Sequence, residues 1–177
     1  RIISASSISC SVGAPKLVEG YGPLMPGFLQ LPFDDHEALK AAMSDEIAAV
    51  FVEPVQGEGG IRPLDPACLR GLRELCDETG ALMVLDCIAS GCAWVDMRAT
   101  GVDVLISAPQ KGWSASPSAG LVMMSDKALE RLEKTSSDSF AVDLKKWRAM
   151  MKAYEDGGHA YHATMPTDAL RAFRDTM

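Results

Sequence analysis

The sequence predicts an α/β fold of three layers, helix over sheet over helix, built on a mostly parallel sheet within one domain spanning residues 1–177. Short apolar runs at residues 47–52, 81–85, 102–106 and 121–124 have the length of strands buried on both faces. Capped stretches of helical periodicity alternate with them, which is the pattern of parallel, right-handed strand-helix-strand units. A chain of 177 residues buries roughly 70% of its unfolded surface, enough for one core.

Ile2 and Ile3 read as a strand already in progress behind Arg1, so the chain is expected to be part of something longer. Residues 13–33 carry Gly13, Pro15, Gly20, Gly22, Pro23, Pro26, Gly27 and Pro32, a density that predicts a long surface connection. A helix is expected from Asp34, because Asp34 and Glu37 form a D-x-x-E capping box and Leu39, Ala42 and Met43 repeat at helical spacing to about Ser44. The 47–52 strand closes on Glu53 and Pro54, and a glycine-rich loop surrounds Glu58. Asp65-Pro66 starts the next helix as N-cap and first residue, Leu69, Leu72 and Cys76 give it a buried stripe, and Gly80 ends it. After the 81–85 strand, residues 95–100 link to the 102–106 strand, with Trp94 read as core or cover. The tight turn at 114–120 leads into strand 121–124, and Asp126 is expected to cap a helix to about Lys134. Leu144, Trp147, Met151 and Tyr154 make an amphipathic helix with Lys145, Lys146, Arg148 and Lys152 on its outer face. A last helix is expected from Asp168.

Charge and composition exclude several classes. A net charge of −7, from 17 basic and 24 acidic residues, lacks the positive footprint that nucleic acid or an anionic membrane requires. No apolar stretch approaches the roughly 18 residues of a membrane span. The five cysteines, Cys10, Cys68, Cys76, Cys87 and Cys92, show no C-x-x-C spacing, which fits reduced thiols in a cytoplasmic protein. His159 and His162 stand at H-x-x-H spacing near Asp156 but lack a third well-spaced ligand, so no metal site is expected.

The chemistry concentrates at two strand ends. Asp86 closes one apolar run and Lys111 follows another, and in an open parallel sheet ligands collect at the carboxyl ends of strands. A lysine that holds pyridoxal phosphate (PLP) as a Schiff base, with an aspartate opposite the pyridine nitrogen, is one outstanding use of that pair. Ile88 would point the same way as Asp86 if strand geometry persisted, and would pack on a ring face. Taken singly, the aspartate is as readily a loop cap and the lysine a solvated side chain.

These residues carry a resemblance. Residues 86–90, Gly101-Val102-Asp103-Val104, Gln110-Lys111-Gly112 and the turn from Pro117 to Gly120 resemble the alanine/serine-glyoxylate aminotransferases of class V, over about residues 80–177. Upstream, Phe51-Val52-Glu53-Pro54-Val55-Gln56-Gly57-Glu58-Gly59-Gly60 is similar to the acetylornithine/ornithine aminotransferases of class III, with the two pieces meeting between Leu75 and Asp86. Both share the fold-type I large domain. The resemblance implies that Lys111 binds the cofactor and moves the proton, that Asp86 holds the pyridinium, and that Gln110 lies near the phosphate. Tyr161 and Thr164, in a Tyr-His-x-Thr segment, match residues that reach across a homodimer to the neighbour's phosphate. Glu58 matches a glutamate that pairs with a substrate-carboxylate arginine from a small domain, which is not expected in this chain. A glycine-rich phosphate turn before Arg1 is likewise not expected here. An aromatic-His-Gly stretch that stacks on the cofactor is replaced by residues 7–11, Ser-Ile-Ser-Cys-Ser.

The implied function is PLP-dependent transamination of a small amino acid with glyoxylate or another 2-oxo acid. The alternative is a non-catalytic fragment or recombined scaffold of the same fold. Losing two or three charge-assisted bonds to the phosphate, at about 1.5 to 3 kcal/mol each, would weaken cofactor binding by roughly a hundredfold to a millionfold.

Overall fold

The structure is a computed structural model and describes residues 1–4, 19–20, 22–23, 25–57, 59–91 and 95–177. Its strands are β1 (Ile2–Ser4), β2 (Phe28–Gln30), β3 (Ala49–Val52), β4 (Val55–Gln56), β5 (Arg62–Pro63), β6 (Leu82–Asp86), β7 (Val104–Ser107) and β8 (Leu121–Met124). Its helices are α1 (His36–Ala42), α2 (Pro66–Thr79), α3 (Met97–Thr100), α4 (Asp126–Glu133), α5 (Leu144–Glu155) and α6 (Thr167–Arg174).

Six strands form one sheet in the order β2-β1-β3-β6-β7-β8. All neighbours run parallel except β7 and β8, which are antiparallel with Val104 opposite Met124 and Ser107 opposite Leu121. The central strands are apolar because both faces are covered. Met83, Leu85, Val50 and Leu105 are at most 1% exposed, and Leu72 and Cys76 of α2 join them in the core. Truncating one such side chain to Ala would cost about 2 to 5 kcal/mol.

Helix α2 follows its sequence closely. Asp65 accepts from Ala67 N–H at 2.7 Å, Pro66 occupies the first turn, and Gly80 closes the helix at φ 75°, a left-handed conformation that costs glycine little. Several boundaries differ from expectation. The cap of α1 is Asp35, whose carboxylate accepts from Ala38 N–H at 2.9 Å, while Asp34 turns the chain at φ 65° and accepts from Asp65 N–H. Helix α4 is capped by Ser125, leaving Asp126 in its first turn, where a carboxylate favours the helix dipole.

The 13–33 connection includes β2, a short edge strand parallel to β1. Prolines flank it at Pro26 and Pro32 without removing a ladder donor, because an edge strand bonds on one side only. Val55–Gln56 and Arg62–Pro63 pair as a small antiparallel ribbon around the glycine loop. In α5, Met151 and Tyr154 are each 59% exposed, so the expected buried stripe is partly open. No helix among the described residues is long and apolar enough to cross a membrane.

Candidate active site

The carboxyl ends of β3, β6 and β7 bring Glu53, Asp86 and Ser107 to one edge of the sheet. Asp86 is the last residue of β6 and is 4% exposed. One carboxylate oxygen accepts from Ile88 N–H at 2.9 Å, closing a tight side-chain turn. The strand therefore stops at Asp86, and the alternation that would have aimed Ile88 along with it does not continue; Ile88 is half-buried within that turn. Burial pushes the Asp86 carboxyl above the ordinary range, the Ile88 N–H opposes that, and the charge of Glu53 adds to it. Among the described residues no cation lies within ion-pair distance of Asp86.

Glu53 is 1% exposed and accepts from Gly57 N–H at 3.4 Å. In the sequence Glu53 reads only as a strand stop. The signal was available, since the register pairing Val52 with Leu85 puts the next residue of each strand, Glu53 and Asp86, side by side.

Lys111 lies in the turn after β7 and is exposed, as is Gln110. This turn meets the loop after Asp86 backbone to backbone. A Cβ added at Gly112 would stand 2.9 Å from Gly91 Cα and 3.0 Å from Ser90 O, so the approach requires glycine. The structure thus brings the Lys111 turn and the Asp86 loop together. Ser4, at the end of β1, is fully buried, and its hydroxyl has no partner among the described residues.

Tyr161 and Thr164 stand apart from this edge in the chain and bond to each other, hydroxyl to hydroxyl, at 3.0 Å; Tyr161 is 79% exposed. Between them, His162 turns inward. Its ring lies 4.5 Å from that of Phe140 and 4.9 Å from that of Trp147, and Nε2 bonds to the Phe140 carbonyl at 2.9 Å. Glu58, Trp94 and residues 7–11 lie outside the described residues. No cluster of three potential metal ligands occurs among the described residues. Cys87, beside Asp86, is fully buried.

A mostly parallel sheet with an antiparallel last strand, a buried aspartate closing one strand and a lysine turn packed against it define a large domain of the PLP-transferase fold. The chain belongs to the class-III aminotransferases, whose family model matches residues 4–101. That match runs past the junction expected between Leu75 and Asp86. The acetylornithine aminotransferase of Rhodobacter capsulatus is 51% identical over 89 residues, covering 50% of this chain and 23% of that relative. The ornithine aminotransferase of Toxoplasma gondii, whose active site holds PLP at partial occupancy, superposes with a TM-score of 0.62 at 27% identity, over 78% of this chain and 35% of the other. An alanine-glyoxylate aminotransferase from Nostoc sp. shares the fold over 99% of this chain and 46% of its own, with a TM-score of 0.67 at 23% identity. The chain thus spans about a quarter of the curated relative and under half of either structure.

Proposed function

We propose that this chain is the PLP-binding unit of an aminotransferase that moves an amino group between an amino acid and a 2-oxo acid. The observation that carries the reading is the Asp86 carboxylate, buried without a counter-ion among the described residues beside a glycine-tight lysine turn. A desolvated anion is stabilised most by a cation delivered to it, and a protonated pyridine nitrogen is a cation of suitable size. PLP supplies an electron sink for carbanion chemistry when bound. Asp86 would keep the ring nitrogen of bound PLP protonated, and Lys111, on its four-carbon stem, would hold the cofactor and carry a proton at Nζ. Gln110 stands next to it in the same turn as a phosphate-side donor.

For the substrate, the relatives of the N-terminal half favour acetylornithine or ornithine as donor. The glyoxylate reading rests on the class V resemblance of residues 80–177 and on a structure whose identity supports the fold alone. We therefore favour an ornithine-type donor, with glyoxylate among the candidate acceptors. Tyr161 and Thr164 are proposed to serve the second subunit of a homodimer. Their outward placement, with His162 as anchor, suits that role.

Mixing the chain with PLP, reducing with borohydride and mapping peptides tests the reading. The pyridoxyl label is expected on Lys111 alone. Label spread over Lys16, Lys127 and Lys145, or no label, would overturn it.

A further inference from the structure

Lys111 is exposed, and its turn holds itself by two backbone bonds, Ser114 N–H to Lys111 O at 3.0 Å and Ala115 N–H to Pro109 O at 2.9 Å. Such a turn is free to tilt as a unit unless something outside it fixes the angle. Two residues after Lys111, Trp113 reaches back to the strand end. Its Nε1–H donates to Ser107 Oγ at 3.4 Å, and that hydroxyl donates to the Cys87 carbonyl at 3.2 Å. The indole also meets Phe173 of α6 in an edge-to-face contact, with ring centroids 5.7 Å apart and planes at 87°. Ser107 and Phe173 are 1% and 4% exposed, so both supports are packed within the fold.

We propose that Trp113, braced by Ser107 and Phe173, is a positioning residue that fixes the angle of the Lys111 turn against the loop following Asp86. The inference rests on the function proposed above in assigning Lys111 its chemistry. Its geometric content, that Trp113 braces the turn, does not depend on it. Cys87 directly follows Asp86, so the relay from Trp113 through Ser107 ends on the peptide that orients that carboxylate. The brace therefore links the two groups that must face one ligand. Displacing a reacting group by about 1 Å costs on the order of a hundredfold in rate, which is what such a brace guards against.

The experiment compares amide hydrogen exchange and PLP labelling in the parent, Trp113→Phe, Ser107→Ala and Ser107→Thr. Trp113→Phe keeps the ring against Phe173 and removes the donor. Ser107→Ala cuts the relay with the smallest change in the core. In both, the Ser114 and Ala115 amides should exchange about tenfold faster, the worth of one hydrogen bond, while the β6 amides of Met83 and Leu85 stay at the parent rate. Ser107→Thr restores the hydroxyl and should restore slow exchange. The yield of label on Lys111 at fixed PLP should fall in the first two variants and recover in the third. Unchanged turn exchange in both cut variants overturns the brace, as does equal acceleration across turn and β6, which marks plain destabilisation. If the parent itself takes no label, the proposed function fails, and the exchange rates alone decide the brace.

Discussion

Replacing Asp103 by Asn should unfold the chain far more readily than its distance from the lysine turn suggests. Asp103 sits just before β7, 4% exposed, and its carboxylate accepts from Met83 N–H at 2.9 Å, Arg73 Nη1 at 3.0 Å and Ser125 Oγ at 3.1 Å, with Lys127 Nζ at 3.6 Å. One side chain thus ties β6, α2 and the start of α4 together. Breaking a buried ion pair from one side costs about 3 to 5 kcal/mol when the other charge is stranded. Arg73 keeps Asp77 at 2.7 Å and the Gly101 carbonyl at 2.6 Å, and Lys127 keeps the Ala81 carbonyl at 2.8 Å. The expected loss is therefore about 2 to 3 kcal/mol, below the full penalty. At a urea dependence of about 1 to 3 kcal/mol per molar, the midpoint falls by roughly 0.7 to 3 M with unchanged slope. The pH dependence supplies a second check. Burial opposes the Asp103 anion, but the Met83 N–H, Arg73 and Lys127 outweigh it and hold the carboxyl below its usual range. Its stabilisation is complete above the unfolded value of about 3.9 and drains as pH falls through the folded value. The Asn variant should lack that acid slope. A loss under about 1 kcal/mol, or an acid slope equal to the parent's, would refute the reasoning.

Asp86→Asn should suppress transamination strongly while weakening PLP binding only modestly, because an amide cannot hold the pyridine nitrogen protonated; turnover equal to the parent's would make Asp86 structural. In the cofactor-free chain the same change should leave stability at pH 7 equal or higher. Folding raises the Asp86 pKa, so the group's contribution is best below its unfolded value and declines as pH rises through the folded one; urea midpoints at pH 4 and pH 7 check this. Mixing a Lys111→Ala chain with a Tyr161→Phe, Thr164→Ala chain should restore PLP binding, since a two-fold interface leaves one intact site per heterodimer. A monomer that binds PLP would rule sharing out.

What the sequence reveals depends on whether a residue's partners are near in the chain. Asp65, Pro66 and Gly80 punctuate α2 by local rules, and the structure keeps all three. The strand-end place of Asp86 and the loop place of Lys111 were legible because each follows an apolar run that has no local need of it. Asp35 displaced Asp34 as the cap of α1 because two adjacent aspartates satisfy the same pattern, and the long-range bond from Asp65 N–H to Asp34 settles which one is engaged elsewhere. Strand β2 hid among prolines that only its edge position permits. The Asp103 cluster and the Trp113 brace draw on residues 20 to 60 positions away, measured by the Met83 and Phe173 contacts, and no local pattern records such distances.

The strand order also carries a schedule. In β2-β1-β3-β6-β7-β8, every strand of the main sheet after the first docks on one that precedes it in the chain. A polypeptide emerging from the ribosome N-terminus first can therefore extend the sheet by accretion, with no gap left open among the described strands. Strands β1, β2 and β3 precede β6, β7 and β8, which add in turn on one flank. The lysine turn is closed only when β8 folds back on β7, and Trp113 gains Phe173 only when α6 arrives. The lysine turn is thus completed on a platform of β1, β3 and β6 that precedes it in the chain.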